Sequence, residues 1–342
     1  MTSVRVGIVG IGFGQQVLVP AFRRDSRVEV VALAASTVQR ARKVADALGV
    51  PQAYGDWRAL LADPSVDAIA IAVPPHIQTT IAAEAMRRGK PILCEKPLAA
   101  SLAAARELID LRAQHPVPAM VDLLFPEIPA WQEAKRRLGD IGPLRHVVLE
   151  WCVETYANRL ALDGWKSRPQ EGGGALGNFF SQSFFYLEWL FGPIVHLGAR
   201  LFRAPGDTRS GETFANLNLE LMSGLGISAV LATAAPLARR HRIEIFGEDG
   251  AIVLENFADD YISGFRLRVG RREAGLTEVP TPAFALAGDG RIAAAAGIIE
   301  RFTDWITLGR PARPDLRDGL RVQELLDAAY RSHATRMMVD VA

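Results

Sequence analysis

The chain has 342 residues, enough for two domains or one large one, and its 49% hydrophobic content with 23% charged residues predicts a full buried core. Thirty-nine basic and 38 acidic residues leave a formal charge of +1, which argues against nucleic acid or an anionic membrane as a partner. Two cysteines, Cys94 and Cys152, form no metal or disulfide pattern. With no leader-like start and no apolar run long enough to span a bilayer, the expected setting is cytoplasmic.

In chain order, residues 4–9 (VRVGIV) read as a buried strand, being short and β-branched. Glycines follow at 10, 12 and 14, then a helix to about Arg24 that Pro20 should kink or delay. Residues 28–35 predict a second strand. A helix follows, with Ser36 or Thr37 as N-cap and Gly49 as its stop. Strands at 68–73, 91–95 and 118–125 alternate with helices at 78–89 and 102–114. That alternation predicts right-handed βαβ units and a parallel sheet.

After about residue 125 the pattern changes. A helix is expected in EIPAWQEAKRRLG, a long strand at 144–155 and a helix at 175–191. Consecutive strand candidates follow, with a hairpin turn at Glu248-Asp249-Gly250, and two helices close the chain. The fold class expected is α/β: a Rossmann domain over 1–120, then an α+β domain with a largely antiparallel open sheet over 121–342.

VGIVGIGFGQQ supplies the strand, glycines and helix of a dinucleotide fingerprint. Gly10 permits the tight turn, Gly12 lets backbone approach a pyrophosphate, and Phe13 and Gly14 complete the loop. Gln15 replaces the third glycine of the pattern. The second strand runs out in Ala34-Ala35-Ser36-Thr37 with no carboxylate to hold a ribose 2′-hydroxyl. Ser36, Thr37 and Arg40 instead suit a 2′-phosphate, so NADP(H) is expected over NAD(H).

GKPILCEKPLA, spanning Glu95-Lys96-Pro97 after a predicted strand, is the most specific signal, and VPPHIQ at 73–78 accompanies it. Together with GDIGPLRHVVLEW, the GGG segment, IFGEDGAIVL and GLRVQELLDAAYRS, they resemble the Gfo/Idh/MocA family of nicotinamide-dependent oxidoreductases across nearly the whole chain. The resemblance implies hydride transfer at a hydroxyl or carbonyl carbon of a sugar, sugar nucleotide or polyol. It implies Lys96 as the group beside the nicotinamide, acting as acid/base or electrostatic stabiliser. It places Glu95, Pro74, Pro75 and Gln78 on the cofactor's side, and a homodimer or homotetramer joined through the C-terminal sheet.

The stretch GGGALGNFFSQSFFYLEWLFG departs from the family, which continues its glycines as G-G-G-x-L-x-D-x-G-x-H. Asn178 falls in the aspartate's place, Phe180 in the glycine's and Gln182 in the histidine's. Neither amide takes up a proton. Three readings stand. Lys96 does the acid–base work while Asn178 and Gln182 orient substrate; or Tyr156 or Lys166 replaces the histidine; or catalysis is lost and the protein is a dinucleotide- or sugar-binding sensor or scaffold. Tyr156, Trp165 and Lys166 share a polar loop with Glu154, Asn158, Arg159 and Arg168. There Trp165 is expected to cover the nicotinamide or the sugar, while Lys166 and Arg168 hold an anionic group. Glu127 and Trp131 are expected near the substrate cleft between the domains. The six histidines show no metal-ligand spacing, and no nucleophile elbow suggests a hydrolase.

Overall fold

The computed structural model describes residues 3–341 apart from 283 and 285–287. Two compact units emerge, 1–124 with 291–321, and 125–290 with 322–342. The first unit therefore takes back a stretch that the sequence reading assigned to the second domain. Periodicity reports which face of a helix is apolar, not which core receives it.

The first unit's strands are β1 (Val4–Val9), β2 (Val28–Ala34), β3 (Gln52–Tyr54), β4 (Ala68–Ile71), β5 (Ile92–Cys94) and β6 (Ala119–Val121). All pair in parallel in the order β3-β2-β1-β4-β5-β6, that of a dinucleotide-binding sheet. Its crossover helices are α1 (Val19–Phe22), α2 (Val38–Leu48), α3 (Trp57–Ala62), α4 (Pro75–Arg87) and α5 (Leu102–Gln114). The sequence reading missed β3 and α3, because three strand residues and six helical ones are too few to show a period. Pro20 lies within the helical run, one residue into α1 and directly after a π-helical stretch over Gly14–Leu18, so the regular α-helix is delayed as expected.

In the second unit, α6 (Pro129–Arg136), β7 (Leu144–Glu154), α7 (Tyr156–Arg159) and α8 (Ser181–Phe191) come first. Seven strands follow: β8 (Ile194–Phe202), β9 (Phe214–Leu221), β10 (Gly226–Ala232), β11 (Ala234–Gly247), β12 (Gly250–Asn256), β13 (Arg266–Arg271) and β14 (Gly275–Val279). Helices α9 (Gly290–Leu308) and α10 (Leu316–Thr335) and a short β15 (Val339–Asp340) close the chain. The sheet has nine strands in the order β14-β13-β12-β11-β7-β10-β9-β8-β15. It is antiparallel except where β10 runs parallel to β7. Alternate residues of β9 (Ala215, Leu217, Leu219, Leu221) and β10 (Ile227, Ala229, Leu231) are buried, which is the period of a sheet with one covered face.

An aromatic cluster forms part of this unit's core. Phe125, Trp131, Trp151, Tyr186, His241 and Phe265 meet mostly edge-on, with Trp151 stacked on the His241 ring at 4.1 Å. Trp131, expected near the substrate cleft, is fully buried within this cluster.

Candidate functional site

The nucleotide loop follows directly from β1. Gly10 has φ +103°, and a Cβ there would lie 2.1 Å from the Ala72 carbonyl oxygen, so both conformation and space require glycine. At exposed Gly12 an added Cβ meets nothing within 4 Å. This backbone is open for a pyrophosphate to approach, which fits the dinucleotide expected here. The helix does not begin as a regular α-helix. A π-helical turn spans Gly14–Leu18 before α1. Such turns concentrate at functional positions, and no propensity rule foretells them.

At the end of β2, Ser36, Thr37 and Arg40 are exposed and adjacent. Thr37 caps α2 by accepting the Arg40 N–H at 3.3 Å, and Arg40 Nη1 donates to Ser36 Oγ at 2.9 Å. A guanidinium and a hydroxyl thus lie at a helix N-terminus, an arrangement suited to an anion.

The lysine turn is held from below. Gln78 on α4 is fully buried, and its Nε2 donates to the carbonyls of Glu95 (2.6 Å), Pro97 (3.1 Å) and Leu98 (3.2 Å). Its Oε1 accepts the Glu95 N–H at 3.1 Å. Gln78, expected on the cofactor's side, is fully buried with all of these bonds going to the backbone of Glu95, Pro97 and Leu98. Pro75 begins α4 and is buried, while Pro74, its N-cap, is half-buried. The Lys96 N–H donates to Glu95 Oε2 at 3.0 Å. Burial pushes the Glu95 carboxyl up in pKa, opposed by the Lys96 charge, a hydrogen bond with Asp122 and the charge of Arg291.

Arg291 was missed by the sequence reading. It stands one residue into α9, almost two hundred positions from the lysine motif, and its guanidinium lies 5.5 Å from the Phe13 ring centroid. Only the chain's return to the first unit brings it beside the nucleotide loop, and no local pattern carries that signal.

In the second unit the glycines form a cradle. A Cβ on Gly173 would fall 2.0 Å from the Trp165 carbonyl oxygen, and one on Gly177 would fall 2.2 Å from that of Gly172. Gly174 has φ +76°, and its Cβ would meet the Glu212 carboxylate at 2.3 Å. A second π-helical turn, Leu176–Phe180, leads into α8. Asn178 sits within it, and its Nδ2 donates to the Lys166 carbonyl at 2.8 Å and the Gly174 carbonyl at 3.0 Å. Gln182 lies in the first turn of α8 and is 4% exposed.

The preceding loop is tied down at several points. Asn158 Nδ2 donates to the Thr233 carbonyl and hydroxyl at 2.7 and 3.0 Å. Arg168 pairs with Asp163 at 2.6 Å and Glu171 at 3.0 Å, so its charge is already matched within the loop. Tyr156 is 64% exposed with Arg159 over its ring. Trp165 is half-buried, and exposed Lys166 has its Nζ 5.9 Å from the Trp165 ring. Glu127 ends a 3₁₀ turn running from Phe125.

Two buried titratable groups meet here, Tyr186 on α8 and His241 beside it. His241 Nε2 lies 2.9 Å from the Tyr186 hydroxyl, but burial drives its pKa down to about 3. Tyr186, also bonded to Ser183 Oγ at 2.8 Å, is pushed well above the ordinary phenol range by burial. Both stay neutral near pH 7. Among the described residues no group of three metal-ligating side chains forms, and no helix is long and apolar enough to cross a membrane.

A parallel dinucleotide sheet with a glycine turn and a clamped lysine, joined to a mostly antiparallel sheet domain, defines a nicotinamide-dependent oxidoreductase class. The chain belongs to the Gfo/Idh/MocA oxidoreductase family. That family's NAD-binding Rossmann domain matches residues 4–123, and its C-terminal α/β domain matches 135–341. An uncharacterised oxidoreductase of Synechocystis is 32% identical across 99% of this chain and 96% of its own length. The NADP(+)-dependent D-xylose 1-dehydrogenase 2 of Haloferax volcanii is 25% identical over 98% of this chain and 99% of its own. Levoglucosan dehydrogenase, solved with NADH and L-sorbose, superposes with a TM-score of 0.88 at 22% identity, covering both chains fully.

Proposed function

We propose that the protein transfers a hydride between NADP(H) and a hydroxyl or carbonyl carbon of a sugar, sugar-nucleotide or polyol-like substrate. The observation that carries this reading is the clamped lysine turn: buried Gln78 donates three hydrogen bonds to the backbone around Lys96 and accepts a fourth from it. A lysine needs no such support to be merely solvated. The nicotinamide, when bound, supplies or accepts the hydride. Gly10, Gly12, Phe13 and Gly14 hold the dinucleotide, with Pro74, Pro75, Glu95 and Trp165 alongside it. Lys96 exchanges the hydroxyl proton or holds the developing alkoxide charge. Asn178, Gln182, Glu127, Tyr156 and Lys166 bind substrate, and the two amides orient it without titrating. The setting is cytoplasmic, and assembly is a homodimer or homotetramer through the nine-stranded sheet.

The test is a panel of aldoses, anhydrosugars and polyols followed by nicotinamide absorbance with each cofactor. Turnover is expected on at least one sugar, with NADPH binding at least tenfold tighter than NADH. Tighter NADH binding would sink the role given to Ser36, Thr37 and Arg40. The second reading, a sensor that binds without turnover, is favoured by Asn178 and Gln182 standing where the family keeps an aspartate and a histidine. Gln182→His separates the two. On the enzyme reading the wild type turns over and the variant changes kcat by less than about tenfold, within the range of a single proton-transfer partner. A gain from no detectable turnover would mark the wild type as a sensor.

A further inference from the structure

The turn after β1 is shaped for a pyrophosphate but brings no positive charge to it. Residues 10–22 contain neither lysine nor arginine. What they offer is backbone: Gly12 is exposed, and a Cβ there would meet nothing within 4 Å. A pyrophosphate carries a negative charge on each phosphate. Drawing those charges out of water against neutral backbone alone leaves them without a counter-charge.

The cation comes from far along the chain. Arg291 lies in the first turn of α9 and is half-buried, with its guanidinium over the Phe13 ring. A contact of this kind uses the face of the guanidinium. Its N–H groups point outward from the edge of the plane, the geometry with which arginine binds phosphate. The same charge lowers the pKa of Glu95, on the turn that follows β5. In the sheet β1 and β5 flank β4. Arg291 is therefore near both turns at the carboxyl ends of these strands, the edge along which such a sheet binds its dinucleotide.

We propose that Arg291 is a dinucleotide-binding residue whose guanidinium pairs with the pyrophosphate received by the glycine turn. This rests on the dinucleotide site described above and not on the sugar chemistry. The competing role is a staple, in which the guanidinium only fastens α9 to the Phe13 ring.

ADP-ribose carries the pyrophosphate without the nicotinamide or a 2′-phosphate, and its calorimetric titration into the intact protein, beside NADPH, separates the two roles. Arg291→Met keeps an apolar stem and is expected to weaken both ligands by about tenfold to a hundredfold, the loss of charge-assisted hydrogen bonds. Its affinity for ADP-ribose should also fall less steeply with added salt than that of wild type, because a charge pair has gone. Arg291→Lys keeps the charge, so it should keep the wild-type salt dependence and recover part of the affinity. The melting temperature of the ligand-free protein should change little in either variant. Unweakened binding by Arg291→Met overturns the proposal. So does weakened binding with an unchanged salt dependence and a lowered melting temperature, the pattern of a staple. Failure of the wild type to bind either ligand would overturn the dinucleotide site together with it. The expected binding pattern without turnover of any sugar would support Arg291 in this role and count against the dehydrogenase reading alone.

Discussion

Replacing Lys96 with alanine should lower kcat by about three orders of magnitude while leaving the dissociation constant for NADPH within about threefold of wild type. The asymmetry follows from how the residue is held. The backbone around Lys96 is fixed by Gln78 through bonds that do not involve the lysine side chain. The glycine turn after β1 is built independently, by the conformation of Gly10 and its contact with Ala72. Truncating the side chain therefore removes the ammonium and leaves the Gln78 bonds to this backbone in place. Neither His241 nor Tyr186 supplies a positive charge in its place, since burial keeps both neutral near pH 7. Stopped-flow turnover beside a fluorescence titration of NADPH measures both quantities. A large loss of cofactor affinity would show that Lys96 mainly binds the dinucleotide, and unimpaired turnover would remove it from the chemistry.

Gly174→Ala should cost about 2–4 kcal/mol of stability, lower the melting temperature by several degrees and abolish turnover. Two penalties add. The backbone has φ +76°, which a side chain disfavours, and the new methyl would lie 2.3 Å from a buried carboxylate already bonded to Leu176 and Tyr330. That carboxylate cannot swing away without breaking both bonds. Gly12→Ala provides the contrast, because its Cβ meets nothing within 4 Å. It should leave the melting temperature nearly unchanged. Denaturant unfolding of the two variants checks the pair, and equal destabilisation would refute the cradle argument.

The parts of this protein that the sequence made legible are those encoded within a few residues. The alternation of strands and helices through residue 121, the turn after β1, the N-cap Thr37 and the stop at Gly49, whose φ is +63°, all follow local rules. The departure at Asn178 and Gln182 was legible because the glycines and Trp189 fix the register. Other features depend on distant partners. Glu212 reads as one acidic residue before a strand, and only folding sets it under Gly174, 38 positions earlier. Gln78 reads as the start of an amphipathic helix, yet it points at the backbone of residues 95–98. Trp131 looked like a cleft residue, but its neighbours Phe125, Tyr186 and Phe265 enclose it. The π-helical turns at 14–18 and 176–180 have no compositional mark at all.

The return of residues 291–321 to the first unit bears on how the chain is made. Asp315 bridges Met120 on β6, and the Val121 N–H donates to the Pro314 carbonyl at 3.1 Å, so this late segment covers the sheet's edge. Asp304 pairs with Arg27 at 2.6 Å, and Gly319 packs against Leu98 and Val121. During synthesis the amino-terminal unit emerges first, yet Arg291 stays absent until more than four-fifths, and the unit's edge uncovered until more than nine-tenths, of these residues have left the ribosome. A fragment ending at Leu124 would expose the apolar surface that 291–321 covers, and aggregation would be its characteristic failure. Folding of the first unit is thereby tied to the arrival of residues 291–321.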